Sequence, residues 1–375
     1  MQPGRLEWHL DQPRLIFDHR QAPNAVVVTN MPIISALDSR DSLGVSDKNT
    51  YQEEVSPEVS RAVHGDAIRL TRGELRTALL CVGAVAILAV IVRNERPLWP
   101  LVLWPAASVL LRTLWLSVRL FQLQRINPAE ALRLEHQEST EHEAGVADFQ
   151  ARSATVRPTV TYGLMGLITL VTAVQLVEQW IRGINPPFDA AALVKAAVRQ
   201  GEWWRLLSAS YLHAGLPHLA GNLAGLRFLG GMVEIYDRRS RVPLVYLVSV
   251  IAGSLASTIL TSTTSLGASG GILGLVGYLV VVSRREEGAA KIWVRKRMLA
   301  ILGGTAVYGI AGFFFIDNAA HLGGALAGAA IGLVATFRAD TSSSPEWDRR
   351  IEALGWLSAA VLLAGAVFTT LQLLR

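Results

Sequence analysis

SYLHAGLPHLAGN (residues 210–222), SLGASGGILGLVG (265–277) and NAAHLGGALAGAAIG (318–332) are three runs of small and apolar residues with few polar side chains. Each places a polar group at one end of a long apolar segment: His218 and Asn222 in the first, Ser269 in the second, His321 in the third. A polar side chain in such a place is costly and marks function by default. Whether the three ends meet depends on topology, which the rest of the chain supplies.

Of the 375 residues 51% are hydrophobic and 17% charged, whereas soluble domains carry about 25% charged residues. The deficit is concentrated in segments of the length that crosses a bilayer, about 20 apolar residues. The composition predicts an all-α polytopic membrane protein. Net charge is +5, but the basic clusters adjoin apolar segments, so they report orientation rather than a nucleic-acid partner. No nucleic-acid motif is present. Cys81 is the one cysteine, which excludes an intramolecular disulfide and a cysteine-based metal site. No carboxylates cluster, and neither a metal nor an organic cofactor is expected. The opening MQPGRLEWHLDQPRL lacks the apolar core of a signal peptide.

Residues 1–70 are polar, with alternating stretches RLEWHL, RLIFDH and NAVVVTN that suit short strands. Periodicity fades from Ser35 to Asp66, which predicts a small or partly disordered cytosolic region over 1–70. Within residues 71–118, Thr77–Val92 and Leu98–Val118 suggest a transmembrane hairpin closed by RNERP, the second arm interrupted by Pro100, Pro105 and Arg112. Residues 119–157 predict a cytosolic surface helix and linker. Further spans are placed near Thr159–Val177, His218–Ile235, Val242–Leu260, Ala268–Val282, Met298–Ile316, Ala319–Phe337 and Leu354–Leu374. The long loop before His218 carries Trp203 and Trp204, which suit a membrane interface. A core over 158–337 is thus followed by a cytosolic loop and last helix over 338–375.

Every second loop is basic: Arg238 to Arg241, Arg284 to Arg297, and Arg338 to Arg350. The intervening TSTTS and FFFIDN contain no Lys or Arg. Positive charge stays inside, so these basic loops are cytoplasmic, as is the N-terminus. Nine spans result. His218, Ser269 and His321 then all lie near the outer ends of their helices, with Asn222 one turn deeper than His218.

Ser269 sits at a helix N-terminus, where free N–H groups favour a developing anion. A serine needs a base, and a histidine near neutral pH is suitable. His321 is that candidate, and His218 and Asn222, at i and i+4, share a face from which both can donate to an oxyanion. GASGG by itself also reads as a helix–helix contact in a membrane. It matches G-x-S-x-G too, but no strand–turn–helix surrounds it. His213 reads better as structural.

From about Pro158 to Phe337 the chain resembles the rhomboid intramembrane serine proteases. The resemblance rests on Trp204-Arg205, on His213, His218 and Asn222 as H-x4-H-x3-N, on Glu234, on Gly267-Ala-Ser269-Gly270, and on Ala320-His321-x-x-Gly324-x3-Gly328. It implies a six-helix core with a C-terminal seventh helix. It also implies Ser269 as nucleophile, His321 as base and acid in a dyad, and an oxyanion hole from His218, Asn222 and the Ser269 N–H. Trp204 and Arg205 would shape the first loop, and the spans from His218 and Met298 would flank substrate entry. The implied partners are transmembrane protein substrates and the lipid bilayer, at the plasma membrane, with no oligomeric state indicated. A rhomboid-fold protein that binds transmembrane helices without cutting them is the rival. Two positions depart from the family pattern: Leu273 stands where a Tyr or Phe is common, and EIYDRR lacks the usual Gly after Glu234.

Overall fold

The structure, a computed structural model, describes residues 57–91, 99–285, 288–313, 316–341 and 345–375. The three alternating stretches near the N-terminus and the RNERP connection lie outside the described residues. What is described is helix and turn, with one isolated antiparallel bridge between Leu193 and Ser265.

Helix α1 (Pro57–Ile91) begins well before the apolar run at Thr77, and half of residues 57–76 are the good helix formers Ala, Leu, Arg and Glu. It therefore runs through the boundary expected near residue 70. It packs beside α2 (Trp99–Arg125), with Arg112 reaching Glu74 at 3.1 Å. Helix α3 (Pro128–Thr155) is started by Asn127, whose side chain accepts the Ala129 N–H, and by Pro128 in its first turn.

The remaining helices are α4 (Thr159–Arg182), the short loop helices α5 (Asn185–Ala191), α6 (Lys195–Arg199) and α7 (Arg205–Ser208), then α8 (Leu216–Tyr236), α9 (Arg241–Leu260), α10 (Ser269–Val282), α11 (Gly288–Ala311), α12 (Asn318–Thr341) and α13 (Pro345–Leu373). Helix α3 docks on α11, where Gly145 lies against the Trp293 side chain and Phe149 meets the Trp293 ring at 5.4 Å.

Among the described residues five helices are long and apolar enough to cross a membrane: Ser60–Val90, Thr159–Arg182, Arg241–Leu260, Asn318–Phe337 and Glu346–Leu373. The sequence pattern suggests nine crossings, and at α8 and α10 the difference has a physical cause. Helix α8 carries His218, Asn222, Arg227 and Glu234, which lower its hydropathy. Helix α10 has only 14 residues, about 21 Å of helix against a hydrocarbon core of about 30 Å. It is sheathed by its neighbours, with every residue but Ser269 and Val280 buried. Ser269, at its start, is half-buried. Large apolar side chains face outward elsewhere: Leu80 is 76% and Ile310 77% exposed. Lipid satisfies such a surface and water does not.

The tightest packing in the bundle is between α10 and α12. A Cβ on Gly324 would land on the Gly270 carbonyl oxygen, and one on Gly328 on the Gly274 carbonyl oxygen. Close backbone approach of this kind, permitted by small residues, is the main source of helix adhesion in lipid. Gly328→Val is expected to lower the thermal unfolding midpoint in detergent micelles, at a cost of about 1–3 kcal/mol or more from overpacking. Gly303→Ala, at a position with no atom within 4 Å, should leave the midpoint unchanged or slightly raised.

Candidate active site

Because α10 and α12 both begin at the same end of the bundle and touch along their glycine faces, their first turns are adjacent. Ser269 is the first residue of α10 and His321 lies in the first turn of α12. The Ser269 Oγ is 2.7 Å from His321 Nε2. For Nε2 to accept the serine proton, Nδ1 must carry the other one. Nδ1 is buried and makes no hydrogen bond to a described residue.

Gly267 holds φ at +124°, a conformation that L side chains rarely adopt, and this turns the chain sharply into Ser269. Its open side faces α8: a Cβ there would lie 2.9 Å from His218 Cε1, 3.0 Å from His218 Nε2 and 3.8 Å from Asn222 Nδ2. His218 Nδ1 accepts from the Ala214 N–H at 3.4 Å, which leaves Nε2 as the donor. One Asn222 N–H goes to the His218 carbonyl at 3.2 Å. The N–H groups of Ser269, Gly270 and Gly271 open α10 without intrahelical acceptors. His218 and Asn222 thus lie against the turn that leads into Ser269. A cavity of about 40 Å³ opens on the other side of Ser269, walled by Ser210, Ser254, Ser265, Asp317 and Ala320 among others.

Most of the other motif residues support this end of the bundle. His213 is fully buried and its ring stands edge-on to His218, centroids 5.1 Å apart. Thr172 donates to the Tyr211 carbonyl at 2.9 Å and so accepts from His213 Nδ1 at 3.1 Å. Gln175 grips the His213 backbone at both ends, accepting its N–H at 2.9 Å and donating to its carbonyl at 2.6 Å. Arg205 is buried and organises the loop, donating to the carbonyls of Ala192 and Asp189 at 2.9 Å each and to Glu202 at 2.6 Å. Its guanidinium lies over the Trp204 ring, which packs edge-on to Phe368 of α13. Trp203 is exposed, as an interfacial aromatic would be. Glu234 lies at the far end of α8, away from Ser269. There it accepts the Thr161 N–H and hydroxyl at 2.7 Å each, satisfying the N-terminus of α4.

Residues 200–337 match the family model described as the rhomboid domain. The chain thus carries a rhomboid domain. It is 34% identical over 188 residues to the rhomboid protease GluP of Bacillus subtilis, covering 47% of this chain and 36% of that protein. It is 37% identical over 169 residues to Rhomboid-related protein 2 of Mus musculus, 41% of this chain and 55% of the relative. With the mitochondrial RHOMBOID-like protein 6 of Arabidopsis thaliana it shares 33% over 143 residues, 37% of this chain and 46% of that one. The matched stretch thus spans between a third and just over half of these relatives' lengths.

Sequence reasoning passed over several residues that brace this end of the bundle. Thr172 and Gln175 hold His213, while Lys195, Ser257 and Asp317 gather beside α12. Asp317 carried a readable signal, an acidic residue just before a helix start.

Burial pushes His213 down to about 4, helped by the neighbouring His218 and opposed by the Tyr211 carbonyl. In an unfolded chain it would titrate near 6.5. The unfolded state therefore takes up a proton before the folded one, and stability present above pH 6.5 is lost as pH falls toward 4. His213→Gln is expected to flatten this loss, on the order of 3 kcal/mol by the lower limit, in thermal unfolding midpoints measured against pH in micelles.

Proposed function

We propose that this protein is an intramembrane serine endopeptidase that cleaves transmembrane protein substrates near the outer face of the membrane. The observation that carries the reading is the 2.7 Å approach of Ser269 Oγ to His321 Nε2 at the start of α10. His321 takes the hydroxyl proton as Oγ adds to the scissile carbonyl. The oxyanion so formed is met by His218, Asn222 and the N–H groups that open α10. As the intermediate collapses, the C–N bond breaks and the imidazolium gives its proton to the departing amine, leaving an acyl-enzyme on Ser269. Water, deprotonated by His321, then hydrolyses the ester and restores the serine. Ser269 and His321 are the catalytic pair; Trp204, Arg205, His213, Glu234, Gly267, Gly270, Gly324 and Gly328 hold the frame.

The alternation of basic and uncharged loops supports a cytoplasmic N-terminus in the plasma membrane, with Ser269 toward the outside. In the proposed organisation residues 158–337 are the protease core, and 338–375 add a seventh helix. Residues 71–118 form an extra hairpin, 119–157 a cytosolic helix, and 1–70 a cytosolic region. The match of the rhomboid domain to residues 200–337 supports the core.

The test is cleavage of a single-span reporter co-reconstituted with the protein, beside labelling by a fluorophosphonate probe. Ser269→Ala and His321→Ala should each abolish cleavage, and Ser269→Ala should abolish labelling. Asn222→Ala should slow cleavage about 10²–10³-fold if it serves the oxyanion. Cleavage that survives in Ser269→Ala sinks the mechanism. A wild-type protein that binds the reporter but neither cuts nor labels would be a helix-binding member of the fold.

A further inference from the structure

Two charged groups that the proposed chemistry leaves unused, Lys195 buried and Asp317 half-buried, meet beside His321. We propose that Lys195 and Asp317 are positioning residues, whose ion pair fixes the first turn of α12, and so the His321 ring, against the segment that carries Ser269. This rests on the Ser269–His321 reading.

Asp317 immediately precedes α12. Its Oδ1 accepts the Ala320 N–H at 3.0 Å and its carbonyl accepts the His321 N–H at 3.1 Å. Its Oδ2 accepts the hydroxyl of Ser257, near the end of α9, and faces Lys195 Nζ at 3.7 Å. Lys195 is 2% exposed on α6 and also donates to the Ser265 hydroxyl. The Ser265 backbone in turn exchanges hydrogen bonds with Leu193 at 2.9 and 3.3 Å, and the Gly267 N–H donates to Ala209 at 2.9 Å. One carboxylate thus ties together the long loop, α9, the turn leading into Ser269 and the start of α12. It also walls the cavity beside Ser269.

Stability alone is a poor account of this pair. Burial lowers Lys195 to about 8 despite the pull of Asp317, with Arg199 adding a smaller repulsion. The folded state therefore holds the lysine proton less tightly than an unfolded chain, and stability rises as pH goes from about 8 toward 10.5. Asp317 behaves otherwise. Burial raises it, but the Ser257, Ser265 and Ala320 donors and the Lys195 charge outweigh burial and keep it ionised. The charged groups facing Lys195 are Asp317 and Arg199, whose guanidinium donates to the Thr258 carbonyl at 2.7 Å. Buried ion pairs are often replaceable by apolar side chains without loss of stability. A pair that costs stability at its lysine, yet joins the segments bearing both reacting residues, serves geometry.

The experiment measures the rate of fluorophosphonate labelling at Ser269 against pH in the full-length protein, with hydrogen exchange read over residues 316–322. Wild-type labelling should fall as pH rises through about 8, where Lys195 loses its proton. Lys195→Arg, which stays charged, should hold the rate beyond that point. Lys195→Met should be slower by about tenfold or more at neutral pH, with no inflection near 8. Asp317→Asn should slow labelling similarly and speed exchange in the first turn of α12. A Lys195→Arg profile that falls like wild type, or a Lys195→Met rate equal to wild type at neutral pH, overturns the proposal. Should Lys195→Met not fold, the arginine variant decides. A wild type that never labels defeats the dyad reading instead, and unchanged exchange in Asp317→Asn then defeats the ion-pair tie separately.

Discussion

The carbonyl oxygens of Gly270 and Gly274 occupy the space where side chains on Gly324 and Gly328 would begin. This contact between α10 and α12 is the constraint on which the rest depends. Lipid offers no hydrophobic drive to bring two helices together, so backbone proximity and its dispersion contacts must do it. Once the two helices lie this close with their N-termini at one end, the first residue of one and the fourth of the other are neighbours. The hydrogen bond between Ser269 and His321 follows from that register. A bulkier pair of faces would separate the axes by an amount comparable to the hydrogen bond itself.

A second layer holds what the glycine contact cannot reach. His218 belongs to α8, and its ring is backed by His213, which is held by Thr172 and Gln175 from α4. The long loop is braced by Arg205, which fills carbonyls that short helices leave open. Buried polar groups in a low dielectric are costly when unpaired and rigid when paired. These networks bond most of their donors inside the protein. Two buried ring nitrogens at the site, His321 Nδ1 and His213 Nε2, have no hydrogen-bond partner among the described residues.

The parts of this arrangement legible in the sequence are those encoded by spacing along one element. His218 and Asn222 share a face because they are i and i+4. Gly324 and Gly328 announce a close helix contact without naming its partner. Lys195, Thr172 and Gln175 were illegible for the opposite reason, since their roles come from residues tens of positions away. Lys195 in ALVKAAV reads as a side chain with its head in water, but in the structure it is buried against Asp317. The start of α1 at Pro57 was missed because a polar helix packed on a neighbour shows no apolar run at its beginning.

Leu273 links these layers. It lies one turn after Ser269, is buried, and replaces the aromatic that the family resemblance leads one to expect. Among the described residues no aromatic ring stacks on His321, the ring pair at the site being His213 with His218. A leucine supplies apolar contact, but its branched end cannot present a flat face to an imidazole. The orientation of His321 must then come from its backbone. That backbone is fixed on one side by the glycine face against α10, and at its start by Asp317, which accepts the N–H groups of both Ala320 and His321. With Nδ1 unbonded and no ring behind it, the imidazole is only as well placed as the first turn of α12. The precision of the pair is therefore set by how firmly that turn is capped.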